Sequence, residues 1–141
     1  MSESNPGGGA DGGGGRLRQH PEVRFAPPQH EIDLGGVARE LAGPPARHGR
    51  RQRALYHHGR LTVALFTFEP GAGLPDHVAA GVVTIQVLAG RLRVKCGTVE
   101  HDMAAGKLLV LAPGVRHDVL AEAQSTMLLQ VYLEDAAEKK E

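Results

Sequence analysis

Gly71-Ala-Gly-Leu-Pro-Asp-His77, the run Val87-Leu-Ala-Gly90 that follows it, and Gly106-Lys-Leu-Leu-Val-Leu-Ala-Pro-Gly-Val-Arg-His117 decide how this chain is read. Each of the two longer segments begins on a glycine and ends on a histidine, and the residues around them alternate with period two, the spacing of a strand. In Arg91-Leu-Arg-Val-Lys95, Leu92 and Val94 point one way and the cations the other, as in a strand with one wet face. Thr98 to Met103 repeats the pattern, with Val99, His101 and Met103 on one side. Leu61 to Phe68, Val82 to Leu88 and Thr126 to Leu133 are apolar on both parities and are expected to be central strands. Gly59, Gly81, Gly97 and Pro113-Gly114 punctuate these runs at intervals that suit an all-β sandwich or small barrel.

Upstream, the pattern changes. Residues 1–29 are rich in Gly and Pro with few apolar side chains, so ordering them costs backbone entropy that little burial offsets. A disordered tail is expected there, a folded domain over 30–134 and a charged tail over 135–141. Glu31 to Leu34 is expected as a short edge strand able to pair with a second copy of the chain, making a homodimer. Val37 to Leu41 has room for about two helical turns, stopped by Gly43-Pro44-Pro45.

The 141 residues fit one domain, which at this size buries roughly two-thirds of its unfolded surface. Sixteen cationic and sixteen acidic residues cancel, Trp is absent and aromatics are few, so neither an electrostatic footprint nor stacking platforms for nucleic acid are present. The single Cys96 cannot form an internal disulfide, and by period it faces the core as a small hydrophobe. No apolar stretch approaches a membrane span, and a cytoplasmic protein is expected.

The two glycine-to-histidine segments together resemble the paired signature of the cupin superfamily, over roughly residues 55 to 133. The resemblance implies a double-stranded β-helix, or jelly-roll barrel, here preceded by a short helix. In that family the first segment carries H-x-H and a Glu, and the second a His. His77 and His117 match, but Ala79 stands at the second His, Val83 at the Glu, Ala112 at the first Pro of the second motif and Ala121 at its Asn. More narrowly, Leu74-Pro-Asp-His77, Thr84-Ile-Gln-Val-Leu-Ala-Gly90 and Arg116-His-Asp-Val119 are similar to small bacterial single-domain cupins with an incomplete ligand set.

The forty positions between His77 and His117 say nothing of proximity; the resemblance alone brings them together. Period two places His117 on the inward face with Val119 and Ala121, leaving Asp118 outside. Two readings of the pair stand: direct coordination of a divalent transition metal (Fe, Mn, Zn or Ni), or two neutral imidazoles hydrogen-bonded in an apolar cup lined by Val83, Ile85, Val87 and Leu92. Asp76 and His101 are candidate further ligands. Gln86, on the opposite parity from that lining, is a candidate ligand contact. With two ligand positions vacant, a metal is expected to be weakly held or to need the substrate as co-ligand. His57-His58 is expected at a turn on the surface, and Arg47 to Arg53 as a solvated loop. The leading expectation is a module that binds a small molecule inside the barrel. The alternative is a metal-dependent oxygenase or isomerase acting on a small organic substrate.

Overall fold

The computed structural model describes residues 28–43 and 46–134. The tail expected over 1–29 lies outside them except for its last two positions, as do Pro44-Pro45 and the charged segment 135–141.

The first element is a helix, α1 (Leu34–Leu41). Its start corrects the sequence expectation: Glu31 to Asp33 form no strand, and Leu34 is already helical. The reason is local. Asp33, in extended conformation, accepts the backbone N–H of Gly36 on its side chain at 3.1 Å and so caps the helix. An edge strand at Glu31 to Leu34 would forfeit that cap.

Nine strands follow among the described residues: β1 (Arg50–His58), β2 (Leu61–Phe68), β3 (Gly73–His77), β4 (Gly81–Ala89), β5 (Arg91–Cys96), β6 (Val99–Ala104), β7 (Leu108–Leu111), β8 (His117–Ala121) and β9 (Ser125–Leu133). They form two antiparallel sheets, one ordered β1-β2-β9-β4-β7 and the other β3-β8-β5-β6. The three runs that are apolar on both parities are β2, β4 and β9, and they occupy the middle of the larger sheet. The Arg47 to Arg53 stretch is not a solvated loop, because β1 begins at Arg50. Its cations find partners along the edge: Arg50 donates to the carbonyl of Gly73, Arg51 pairs with Glu69 and Arg53 with Glu40.

The two sheets close on one apolar interior. Phe66, Phe68, Val83, Ile85, Val87 and Met127 from the first meet Leu92, Val94, Met103, Val119 and Ala121 from the second. The Phe66 and Phe68 rings stack with centroids 5.9 Å apart. Val99 shares a side of its strand with the buried Met103 but is 53 % exposed, since it sits at the free end of the edge strand β6. A separate apolar contact forms outside the barrel, where α1 packs on β1 and β2 and buries Leu41 and Leu65.

The turn from β4 to β5 shows why the signature needs glycine. Gly90 has φ of 86°, and a Cβ there would lie 2.2 Å from the carbonyl oxygen of Gln124. Beside it, buried Ser125 accepts the N–H of Arg91 and lies within hydrogen-bond reach of the carbonyls of Arg91 and Ala123, tying that end of the barrel shut.

Candidate functional site

The pairing of β3 with β8 contains an irregularity that builds the site. Gly73 faces Leu120 and Leu74 faces Val119, but the next matched pair is His77 with His117. Three steps along β3 thus answer two along β8, the signature of a bulge. Pro75 lies in it, where its missing N–H is harmless. The bulge brings His77 opposite His117, with ring centroids 4.2 Å apart and planes tilted by 59°. His117 is 2 % exposed, on the inward face with Val119 and Ala121, whereas His77 is exposed at the rim.

Both rings are oriented by the same local contact. Nδ1 of His77 lies 2.7 Å from the carbonyl oxygen of Pro75, and Nδ1 of His117 lies 3.0 Å from that of Val115. A carbonyl can only accept, so each Nδ1 carries the proton and donates. In the neutral rings each Nε2 is therefore left with its lone pair for an outside partner. Two acceptor nitrogens on adjacent rings can receive hydrogen bonds from a ligand's donors, or supply two positions of a metal's coordination sphere.

The other candidates are placed elsewhere. Asp76 is exposed and engaged by Arg116 at 3.1 Å. His101 stands on β6 opposite Val94, and Val94 in turn faces Val119 on β8. That is two strand spacings, roughly 10 Å, from the strand that carries His117. Gln86 is half-buried on the outer face of the larger sheet, between Leu108 and Leu128. Among the described residues no group of three or more His, Cys, Asp or Glu side chains could hold a metal ion. The pair thus fits two corners of a metal site but does not make the set of about three protein ligands usual in catalytic centres.

The expected apolar lining is also different in kind. Val83, Ile85, Val87 and Leu92 are between 0 and 3 % exposed and belong to the packed core, so they fill the barrel rather than line an open cup. The pair sits where this core meets the rim. A shallow groove of about 380 Å³ lies on the outer face of the smaller sheet, bordered by Leu74, Asp76, Arg93, Lys95, Glu100 and Asp118. Cys96 is half-buried against the core, and burial, followed by the charge of Asp118, pushes its thiol above the ordinary range. His57 and His58 end β1 and face apart; Nδ1 of His57 meets the Thr62 hydroxyl at 3.0 Å and His58 stacks on Tyr56.

Sequence reading missed the two carbonyls of Pro75 and Val115, because backbone acceptors leave no side-chain signature. The one hint was that each histidine follows a turn-forming residue, Pro75 or Gly114, by two or three positions.

The profile of the cupin domain family matches residues 64–132. Among curated protein sequences, none matches. Solved structures match widely. A cupin superfamily protein from Desulfitobacterium hafniense aligns with a TM-score of 0.64 at 17 % identity, covering 77 % of this chain and 94 % of that one. A conserved protein of unknown function from Streptococcus pyogenes aligns at 0.60 and 22 % identity, covering 64 % and 80 %. A variant of salicylate 1,2-dioxygenase from Pseudoaminobacter salicylatoxidans aligns at 0.64 and 16 % identity, covering 72 % of this chain and 34 % of that one. The chain belongs to the cupin superfamily, and its fold is the jelly roll of that superfamily. Among the described residues no helix is long and apolar enough to cross a membrane.

Proposed function

We propose that this cupin is a binding module whose His77 and His117 anchor a small donor-bearing molecule at the rim of the barrel. One observation supports the reading above others: adjacent imidazoles whose Nδ1 atoms are both committed to backbone carbonyls, with no third acidic, imidazole or thiol group gathered on them among the described residues. Two acceptors on neighbouring rings suit a ligand that carries two adjacent hydroxyl or amine donors. General-base chemistry needs a tuned carboxylate or imidazole within reach of the reacting proton, and water activation needs a well-held metal. A two-nitrogen set supports neither strongly.

The same committed Nδ1 atoms favour a second reading, in which a first-row metal completes its sphere with a chelating substrate and the protein acts as an oxygenase or isomerase. Metal analysis of untagged protein prepared in Zn- and Mn-supplemented medium separates the two. The binding-module reading expects substoichiometric metal unchanged in His77→Ala and His117→Ala. Stoichiometric metal that disappears in either variant would overturn it.

A further inference from the structure

The bulge that sets His77 against His117 also shapes the other side of the same two strands. β3 and β8 are matched at Leu74 with Val119 and again at His77 with His117, and between those pairs Pro75 and Asp76 answer Asp118 alone. Pro75 has no N–H to give, so the ladder is interrupted there. The groove of about 380 Å³ on the outer face of the smaller sheet lies at this interruption and extends past Asp118 to Lys95 and Glu100.

The charges of that face are unevenly used. Arg91, Arg93 and Lys95 run along β5, an inner strand of the sheet flanked by β8 and β6. Arg91 pairs with Asp102 at 2.9 Å, and Arg93 pairs with Glu122. Lys95 stands directly opposite Glu100 on β6 and Asp118 on β8, yet among the described residues it forms no ion pair with either. Beside them Leu120 is 39 % exposed, and Asp76 is engaged by Arg116. Opposed residues on neighbouring strands hold their Cβ atoms about 4.5–5.5 Å apart. An unpaired cation, an unpaired carboxylate and an apolar patch therefore lie within the span of one small molecule.

We propose that this groove binds a free α-amino acid with an apolar side chain, its carboxylate on the Lys95 ammonium, its own ammonium on Asp118, and its side chain over Leu120 and Pro75. An α-amino acid carries both charges on one carbon, which matches a cation and a carboxylate on adjacent strands. A simple anion or amine would leave one of the two without a counterpart. The volume is in the lower part of the range of about 300–1,000 Å³ usual for small-ligand sites, which suits a single amino acid. The site lies on the opposite face of β3 and β8 from the imidazole pair and stands independently of the function proposed for that pair.

Two-dimensional amide NMR of the full chain titrated with L-leucine tests this. The Lys95, Asp118 and Leu120 signals should shift together, with half-saturation near about 1 mM in low salt. Lys95→Ala and Asp118→Asn should each weaken binding by about tenfold, and N-acetyl-L-leucine and L-leucinamide, each lacking one charge, should bind the unmodified chain more weakly by as much. His77→Ala should leave half-saturation unchanged. Cys96 gives a readout that needs no variant: its thiol is held up by burial and then by Asp118, so an ammonium on Asp118 should move the pH profile of iodoacetamide alkylation to lower pH. The proposal is overturned by signals that stay in place up to about 20 mM leucine, by N-acetyl-L-leucine binding as well as leucine, or by binding that survives both Lys95→Ala and Asp118→Asn. An alkylation profile indifferent to leucine would overturn it too, and binding lost in His77→Ala would place the amino acid at the rim instead.

Discussion

His117 and His77 are register partners of opposite burial: one imidazole is enclosed by the core and the other meets solvent, yet their ring centroids stand 4.2 Å apart. The enclosed ring is held by packing as well as by Val115, whereas the outer one is held by its contact with the Pro75 carbonyl. A ligand arriving at the rim meets a fixed nitrogen behind a more adjustable one.

That asymmetry separates stability from binding. His117→Ala should cost about 1–3 kcal/mol, as expected for removing a buried, hydrogen-bonded side chain. His77→Ala should stay within about 0.5 kcal/mol of the parent. Urea denaturation checks both, and any ligand found for the rim should lose affinity in both variants alike.

Phe66→Ala should be more costly, about 3–5 kcal/mol, because the ring is 5 % exposed and stacked on Phe68 in the middle of the barrel. If the interior is filled as described, the variant should also take up small apolar probes such as xenon or benzene that the parent excludes. Binding of benzene followed by NMR shifts of Val87 and Met127 methyl groups tests this.

Two glycines that both hold positive φ should respond unequally to alanine. Gly59 has φ of 59°, and a Cβ added there would meet nothing within 4 Å, so Gly59→Ala should cost about 1–2 kcal/mol for conformation alone. Gly90→Ala adds a collision with the Gln124 carbonyl and the Ser125 hydroxyl and should cost several kcal/mol, or prevent folding. Thermal melts of the two variants side by side measure the difference.

The Cys96 thiol, raised by burial and then by Asp118, should alkylate slowly near neutral pH, with a rate that climbs only above the ordinary thiol range. The sign for stability follows from the raised value. The folded form keeps its proton longer, so stability is unaffected below the unfolded thiol pKa and falls as pH rises through the window up to the folded one. Asp118→Asn should remove part of the shift, and iodoacetamide modification followed against pH should move to lower pH.

Asp76→Asn breaks an exposed ion pair with Arg116, both side chains more than half exposed, and such pairs contribute little. Stability should change by less than about 1 kcal/mol. Zn²⁺ uptake measured by calorimetry should match the parent, since the carboxylate is turned to Arg116 and not to the imidazoles.

The fold was legible because glycine spacing and strand period are local signals: β2, β4 and β9 announced themselves through Leu61 to Phe68, Val82 to Leu88 and Thr126 to Leu133. The inward side of His117 followed from the same period. Elsewhere, side-chain chemistry and backbone competed. Asp33 could have sat in a strand but instead capped a helix, and the arginines of β1 could have been solvated but found Glu40, Glu69 and the Gly73 carbonyl. Both outcomes depend on partners distant in sequence or on backbone groups, neither of which periodicity encodes. The fullness of the barrel was hidden for a related reason, since period two assigns a face but cannot report what Phe66 and Phe68 occupy across it.

The extra residue in β3 also decides which side chain stands beside the inner imidazole. In unbroken register, Leu74 against Val119 would set Asp76 against His117, replacing a nitrogen donor by an oxygen donor. The same letters, threaded straight, would therefore spell a different ligand set, and losing one residue from the bulge is what would let His77 keep its place in a straight strand. Whether this short stretch bulges or runs straight thus decides between an imidazole and a carboxylate beside His117, while the rest of the barrel stays as it is.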